Sequence, residues 1–342
     1  MIATRSKNRS HRRNAFTMIE LLIVIVILGI LASLILPAVG RVRNTVRIGQ
    51  VKAEISSLES AIATFKGKYG VDPPSRIVFY ETPSAAGGWT HASPSSDAID
   101  SRAKIRQIWP QFDFIMVRNI NGNSSSADVV TLTQGECLVF FLGGILQRPE
   151  DVNSNSTLNN NGTYDAGDIN DDGNGKLDVN ATIAGATSRS VCTGFSKNPF
   201  NPFASGGNRE TAIYDFINSR LVDVDSDGMA EFVDPLPSQT QPYLYLSSYE
   251  GIGYQAIEFG GGGPICPYLQ SSSLTAPATW ASVLSLPRWK PKSYQIISPG
   301  FDKQYGTFGP FAPEVADGQL AGARDGENDN ITNVHSGTLG RY

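Results

Sequence analysis

The residues best suited to chemistry lie in one acidic stretch, residues 223–234. Its oxygen-bearing side chains occupy positions 1, 3, 5, 9 and 12 of a twelve-residue loop, with a glycine at position 6. Ca²⁺ takes about six to eight oxygen ligands, and alternating acids around a central glycine can turn those ligands towards one point. A solvated acidic turn between two strands is the alternative. The spacing predicts a structural calcium ion bound by Asp223, Asp225, Asp227, the backbone carbonyl of Met229, Glu231 and Asp234.

A second acidic region, the Asn-, Asp- and Gly-rich insertion 151–180, repeats this spacing less completely. One possible twelve-residue loop begins at Thr157, which supplies no acid at position 1. A second loop begins at Asn170 or, in an alternative register, at Asp168. The composition is also typical of an unstructured loop, so a calcium-ordered and a disordered insertion both stay open. The candidate ligands are Asn159, Asn161, Asp165, Asp168, Asn170, Asp172, Asn174 and Asp178.

Catalytic and zinc-binding patterns are missing from the sequence. The three cysteines show no CxxC spacing, and the three histidines lie in no HExxH motif. There is no GxSxG motif either, and the glycine run 260–263 lacks the lysine of a phosphate-binding loop. The common zinc, thioredoxin-like and hydrolase frameworks therefore lose support, and we expect no enzymatic activity.

Charge is divided unevenly along the 342 residues. The first fifteen residues hold five bases and no acid, whereas 23 bases face 32 acids from residue 16 onward, a net charge of −9. An acidic body disfavours nucleic-acid binding.

A long apolar run, residues 21–40, contains no charged residue. A helix rises about 1.5 Å per residue, so the run could cross a hydrocarbon layer of about 30 Å. The basic residues before the run should stay in the cytoplasm, which places the chain after Arg41 outside it. A cleaved secretory signal is the alternative, but its apolar region is usually about 7–15 residues and ends in an A-x-A-like site. We therefore expect an inner-membrane anchor with an extracytoplasmic body.

One acid, Glu20, lies inside the apolar block that begins at Phe16. An acid in the middle of a membrane helix costs about 2.5–3.5 kcal/mol on insertion scales, so Glu20 should have a partner. The alternative is a plain signal anchor in which Glu20 is an interfacial residue.

The sequence RRNAFTMIELL at residues 12–22 resembles the prepilin cleavage and methylation motif of type IV pilins and type II secretion pseudopilins. The resemblance implies that a prepilin peptidase cuts between Ala15 and Phe16 and methylates the new amino terminus. It implies that Glu20 then partners the terminal amine of a neighbouring subunit, and that Pro37 is the family's helix-loosening proline. Ala15 stands where the family usually has glycine.

The C-terminal acids extend this resemblance. Residues 298–302 and 325–330 are similar to the carboxyl-terminal calcium loop of the major pseudopilins, although residues 303–324 make the loop longer. The similarity implies a structural calcium ion near Asp302, Asp325 and Asp329. Plain solubility is the alternative use of these acids.

The fold expected is α+β, with one long N-terminal helix packed on a body that has a small antiparallel sheet and long loops. Apolar residues spaced by three and four continue the helix beyond the membrane, and Gly70 and Pro73 end it. We divide the chain into a leader (1–15), a membrane and polymerisation helix (16–40), its amphipathic extension (41–70) and the body (71–342). The apolar residues that form one face of the helix extension, which we call the stripe, are Ile48, Val51, Ile55, Leu58, Ile62 and Phe65.

Shorter elements are predicted within the body. Ser96 could cap a helix that contains Ile99, and residues 133–136 resemble a capping box before a second helix. Strands are predicted at residues 219–222, 243–248 and 294–298.

These patterns favour a structural subunit, a pilin or pseudopilin, of a type II secretion pseudopilus or a type IV pilus-like filament. The expected partners are other copies of the chain, further pilin-like subunits, the prepilin peptidase, the inner-membrane assembly platform and the membrane. The alternative is a membrane-anchored, calcium-binding adhesin or ligand-binding protein that does not polymerise. The sequence does not separate a secretion pseudopilus from an adhesive or DNA-uptake pilus.

Overall fold

A computed structural model describes residues 17–118, 120, 128–145, 194–204, 209–225, 229–251, 253–254, 267–270, 286–306, 309–312, 320 and 324–340. The chain divides between Arg47 and Ile48 into two compact units. The elements are a long helix followed by a body of short helices and small antiparallel sheets, which confirms the α+β class.

The long helix, α1, runs from Met18 to Tyr69. Its 52 residues lie within the range 16–70 that the sequence predicts for this helix. Gly70 ends it with a φ of +79°, a left-handed conformation in which glycine carries no steric penalty. Within the second unit, the stripe from Val51 to Phe65 is buried in the core, and Ile48 packs against it.

The first part of α1 carries large apolar side chains that are exposed from Met18 to Leu31. The side chains of residues 34–38, within the predicted membrane segment, lie outside the described part of the chain. In the part of the chain that the structure describes, no helix meets the combined length and apolarity of a membrane span.

Two shorter helices follow the caps that their sequences supply. Helix α2 (Ser96–Ile108) is capped by Ser95, whose hydroxyl accepts from the N–H of Ala98 at 3.0 Å, so the cap precedes the predicted one by one residue. Helix α3 (Gln134–Gly143) begins with the predicted capping box, in which the Glu136 carboxylate accepts from the N–H of Thr133 at 2.7 Å. Every residue of α3 from Gly135 onward is buried.

The strands form three small antiparallel sheets among the described residues, where the sequence predicted one. Strand β1 (Arg76–Tyr80) pairs with β2 (Val129–Thr133), and β3 (Leu221–Val222) pairs with β4 (Glu231–Phe232). The third sheet has the order β5 (Leu244–Ser247), β6 (Tyr294–Ser298), β7 (Ile331–Thr332). The predicted strands are therefore present but belong to two different sheets.

The three-stranded sheet separates two apolar clusters. Tyr245 and Ile296 face the main core, which also contains the buried stripe of α1, whereas Leu246 and Ile297 face a smaller cluster around Tyr268. Successive side chains of a strand point to opposite faces of a sheet, so burial on both faces explains why β5 and β6 have no exposed residue. The sheet thus holds β6, and the turn that follows it, in a fixed position.

Candidate functional site

The first candidate site is the start of α1. Thr17 precedes the helix, and both its backbone N–H and its hydroxyl donate to Oε2 of Glu20, at 2.9 and 2.7 Å. The N–H of Glu20 donates in return to the Thr17 hydroxyl at 3.3 Å. This reciprocal arrangement is a capping box, which stabilises the first turn of a helix.

The other N-terminal candidates are less fully described. Ala15 and Phe16, the predicted cleavage pair, lie outside the described residues. The backbone of α1 remains helical through Pro37, and the side chain of Pro37 is not described.

The second candidate site is the acidic loop between β3 and β4. These strands pair Leu221 with Phe232 and Val222 with Glu231. Asp223 and Asp225 therefore come directly after β3, and Glu231 is the first residue of β4. Glu231 reaches across the hairpin, where its Oε2 accepts from the N–H of Val224 at 2.9 Å. Met229 is buried, and Asp227 lies outside the described residues. The hairpin therefore brings Asp223, Asp225 and Glu231 to one end.

Asp234 does not join these acids. Strand β4 leads away from the loop, and the three residues from Glu231 to Asp234 would span about 10 Å of extended chain. The buried Asp234 carboxylate instead accepts from the N–H of Leu236 at 2.9 Å, the amide of Gln239 at 3.0 Å and the hydroxyl of Ser298 at 2.6 Å. The predicted twelfth ligand of the loop is thus a hydrogen-bond acceptor in another part of the body.

The third candidate site is the turn after β6, residues 298–302, which we call the carboxylate turn. Asp329 lies against it and is buried, and its Oδ2 accepts from the N–H groups of Phe301 and Asp302 at 2.5 and 2.9 Å. The Asp302 carboxylate accepts from the N–H of Gln304 at 2.8 Å. Two of the three C-terminal acids singled out by the sequence therefore lie together.

Gly300 makes this close approach possible. Its φ is +71°, and a Cβ at this position would lie 2.5 Å from the Asp329 carboxyl carbon. Only glycine combines this backbone conformation with the space that the carboxylate occupies.

The electrostatics of the carboxylate turn are unfavourable for two negative charges. Burial raises the pKa of Asp329 to about 6, and the neighbouring charge of Asp302 adds to the increase. Burial also raises the pKa of Asp302. The second oxygen of Asp329, Oδ1, is buried and has no hydrogen-bond partner among the described residues. A buried carboxylate oxygen without a donor is costly and is suited to a cation or a proton.

The remaining acids near the turn are described in part. The backbone of Asp325 begins a short 3-10 turn, Asp325–Glu327, but its side chain is not described. Glu327 is fully buried and forms an ion pair with Arg324 at 2.6 Å. The whole insertion 151–180, with its eight candidate ligands, lies outside the described residues. Over the described residues, no group of three or more His, Cys, Asp and Glu side chains is placed to hold a metal ion.

No local pattern in the sequence indicates the role of Asp234. Its partner Ser298 is 64 residues away, and the two meet only because β6 lies inside the sheet. For the carboxylate turn, the available signal was the similarity of residues 298–302 and 325–330 to a carboxyl-terminal calcium loop.

Comparison with known proteins identifies the N-terminal segment. Residues 10–36 match the family model described as the Prokaryotic N-terminal methylation motif. Comparison with curated proteins and with solved structures finds no match. The chain therefore carries a prepilin-type cleavage and methylation motif, the motif of pilins and pseudopilins, and this motif favours a structural rather than an enzymatic role.

Proposed function

We propose that the chain is a pilin or pseudopilin subunit that is processed at Phe16, anchored in the inner membrane by α1 and assembled into an extracytoplasmic filament. The observation that carries the proposal is the methylation motif at residues 10–36, most of which lies in the first part of the helix Met18–Tyr69. The exposed apolar side chains of the first part of α1 need a cover in water. Lipid before assembly, and neighbouring subunits afterwards, would supply it.

Glu20 is the residue that we assign to assembly. Both hydrogen bonds from Thr17 end on Oε2, and within the described residues no hydrogen bond reaches Oε1. Oε1 is therefore available to a cation outside the chain. After cleavage, the methylated amine of Phe16 on an adjacent subunit would be such a cation, and its charge would offset the cost of placing Glu20 in an apolar layer.

The substitution Glu20→Gln tests this proposal in full-length protein. Gln keeps an acceptor for the Thr17 hydrogen bonds but removes the charge. We expect normal membrane insertion and a large loss of pelletable filament. Asp215→Asn, which removes an exposed carboxylate from the body, is the matched control and should not reduce filament yield. Undiminished filament in Glu20→Gln would favour the anchored, non-polymerising binder instead.

We also propose that the carboxylate turn holds a structural calcium ion. The supporting observations are the orphaned Oδ1 of Asp329 and the hydrogen bond that its Oδ2 accepts from the N–H of Asp302. The 3-10 turn that begins at Asp325 is close by, since a Cβ at Gly326 would lie 3.7 Å from Oδ2 of Asp302. A hard cation prefers carboxylate oxygens and would neutralise the repulsion between the two acids. A second calcium ion at the β3–β4 loop would use Asp223, Asp225 and Glu231, without Asp234.

A further inference from the structure

One loop of the body exposes a group of large apolar side chains. Ile115 is 79% exposed, Val117 54% and Met116 40%. Phe200, which is 55% exposed, comes from a second loop that is far away in the sequence but adjacent in space. We call these four residues the apolar tip. Exposed apolar side chains are common singly, but a group of four on two adjoining loops is typical of an interaction surface.

Arg118 joins the two loops of the apolar tip. Its buried guanidinium donates to the carbonyls of Met116 and Phe200 at 2.9 and 2.7 Å, and also to the carbonyl of Asp113. The Phe200 carbonyl accepts a further hydrogen bond from the N–H of Asp113 at 3.0 Å. The backbones that carry Ile115 and Phe200 are therefore held next to each other.

Arg118 also packs on the core beneath the apolar tip, so its contacts hold the backbone of the tip in one place. The Arg118 guanidinium lies 4.2 Å from the centroid of the buried Phe112 ring, which packs beneath the loop. Burial lowers the pKa of Arg118 to about 10, because removing a charge from water is costly. A surface that is ordered before binding loses less entropy on association.

The margin of the apolar tip is basic. The guanidinium groups of Arg102 and Arg106 lie 5.1 and 5.4 Å from the centroid of the ring of Phe114, the residue that precedes Ile115. On the second loop, Lys197 is exposed three residues before Phe200 in the sequence. Asp113 is the acid within the loop itself, and its carboxylate accepts from the N–H of Ile115 at 2.8 Å. The acids of α2 are paired elsewhere, with Arg76 at 2.9 Å and Lys104 at 2.9 Å.

We propose that the apolar tip is a docking surface for the acidic body of a second copy of this chain. The basic margin of the apolar tip is complementary in charge to the rest of the chain, because the residues from 16 onward carry a net charge of −9. The surface contacted on the second copy must differ from the tip itself, since two basic margins would repel. Such a head-to-tail contact can repeat without closing, as a filament requires. The proposal rests on the proposed function in that the partner is a neighbouring subunit.

Photocrosslinking of the full-length protein in its own membranes tests the proposal. A benzophenone amino acid at Ile115 should give an adduct of twice the monomer mass that contains only this chain. The same amino acid at Ile217, which is 55% exposed outside the tip, is the matched control and should give little adduct. In a protein labelled at Ile115, Phe200→Ser or Arg106→Glu should reduce the adduct about tenfold, which corresponds to a loss of about 1.4 kcal/mol of binding free energy.

The outcomes separate this proposal from the proposed function. If Glu20-dependent filament forms but the label at Ile115 gives no self-adduct, or reacts only with lipid or with another protein, the apolar tip is not a contact between copies and the filament assignment stands. If filament yield is independent of Glu20 while the self-adduct persists, the docking surface stands and the filament assignment fails. Equal adducts from Ile115 and Ile217 would also overturn the docking proposal.

Discussion

Thr17 donates two hydrogen bonds, from its backbone N–H and from its hydroxyl, to the same oxygen of Glu20. The arrangement lets Glu20 cap the first turn of α1. Under the proposed function Glu20 has a second, separable task, which is to present a negative charge close to the amino terminus that processing at Phe16 would create.

The two tasks can be separated by substitution. Thr17→Ala removes the hydroxyl but keeps the Glu20 charge, and loss of a capping side chain costs about 1 kcal/mol. We expect a modest fall in filament yield, clearly smaller than that caused by Glu20→Gln. Sedimentation of filament from full-length protein measures both. Equal losses in the two variants would contradict a separate role for the charge.

Calcium should stabilise the full-length protein in detergent. A ligand at about a hundred times its Kd adds about 2.7 kcal/mol to the free energy of unfolding, so chelation should lower the thermal midpoint. Asp329→Asn keeps an acceptor for the N–H groups of Phe301 and Asp302 and removes one of two adjacent charges. We expect this variant to respond clearly less to the chelator than the original chain does, because only the ion at the β3–β4 loop would remain.

The matched control for this calcium experiment is Asp215→Asn, which should respond to chelation as the original chain does. A thermal midpoint that does not change with chelator in the original chain would remove calcium from the account of the carboxylate turn.

Gly300→Ala should destabilise the body through a steric conflict. The added Cβ would lie 2.5 Å from the Asp329 carboxyl carbon in a left-handed backbone conformation. Gly251→Ala is the control, because its φ of +83° is similar but the nearest atom to its Cβ, Cγ of Lys292, is 3.4 Å away. We expect Gly300→Ala to lower the thermal midpoint by clearly more. Similar midpoints would show that Asp329 is not held against the turn.

The lowered pKa of the buried Lys52 predicts that the stability of the folded chain depends on pH. Its ammonium donates to the carbonyls of Thr332, at 2.5 Å, and His335, and burial lowers its pKa to about 8 while Glu59 opposes the shift. Between about pH 8 and about pH 10.4 the unfolded chain keeps a proton that the folded chain has lost, so stability rises with pH in this window.

Lys52→Met removes this titration. The thermal midpoint of the original chain relative to that of the variant should therefore increase from pH 8 to pH 10. A constant difference across this range would contradict a lowered pKa for Lys52.

The elements that the sequence predicted well are those fixed by local rules. The stripe from Val51 to Phe65 gives α1 its buried face, and the box formed by Thr133 and Glu136 starts α3, because spacing and capping act over a few residues. Strand β1 was missed because the buried run Ile77–Tyr80 does not alternate with polar residues. Ile99 was placed in the correct helix, but it faces solvent.

The candidate sites show the same limit. Asp302 and Asp329, which the resemblance singled out together, lie next to each other although 27 residues separate them. The resemblance supplied this long-range relationship, and the calcium ion that it implies stays a prediction. Asp234 was assigned to the β3–β4 loop by spacing alone, and the continuation of β4 carries it to Ser298 instead. Local spacing cannot report a contact that depends on how two sheets pack.

The central claim is that this chain is a processed pilin-like subunit, and the mass of its N-terminal peptide tests that claim most directly. We expect the protein isolated from membranes or filaments to begin at Phe16, with one methyl group on its terminal amine. A mature chain that begins at Met1, or near Val39 as a cleaved secretory signal would leave it, would contradict the account.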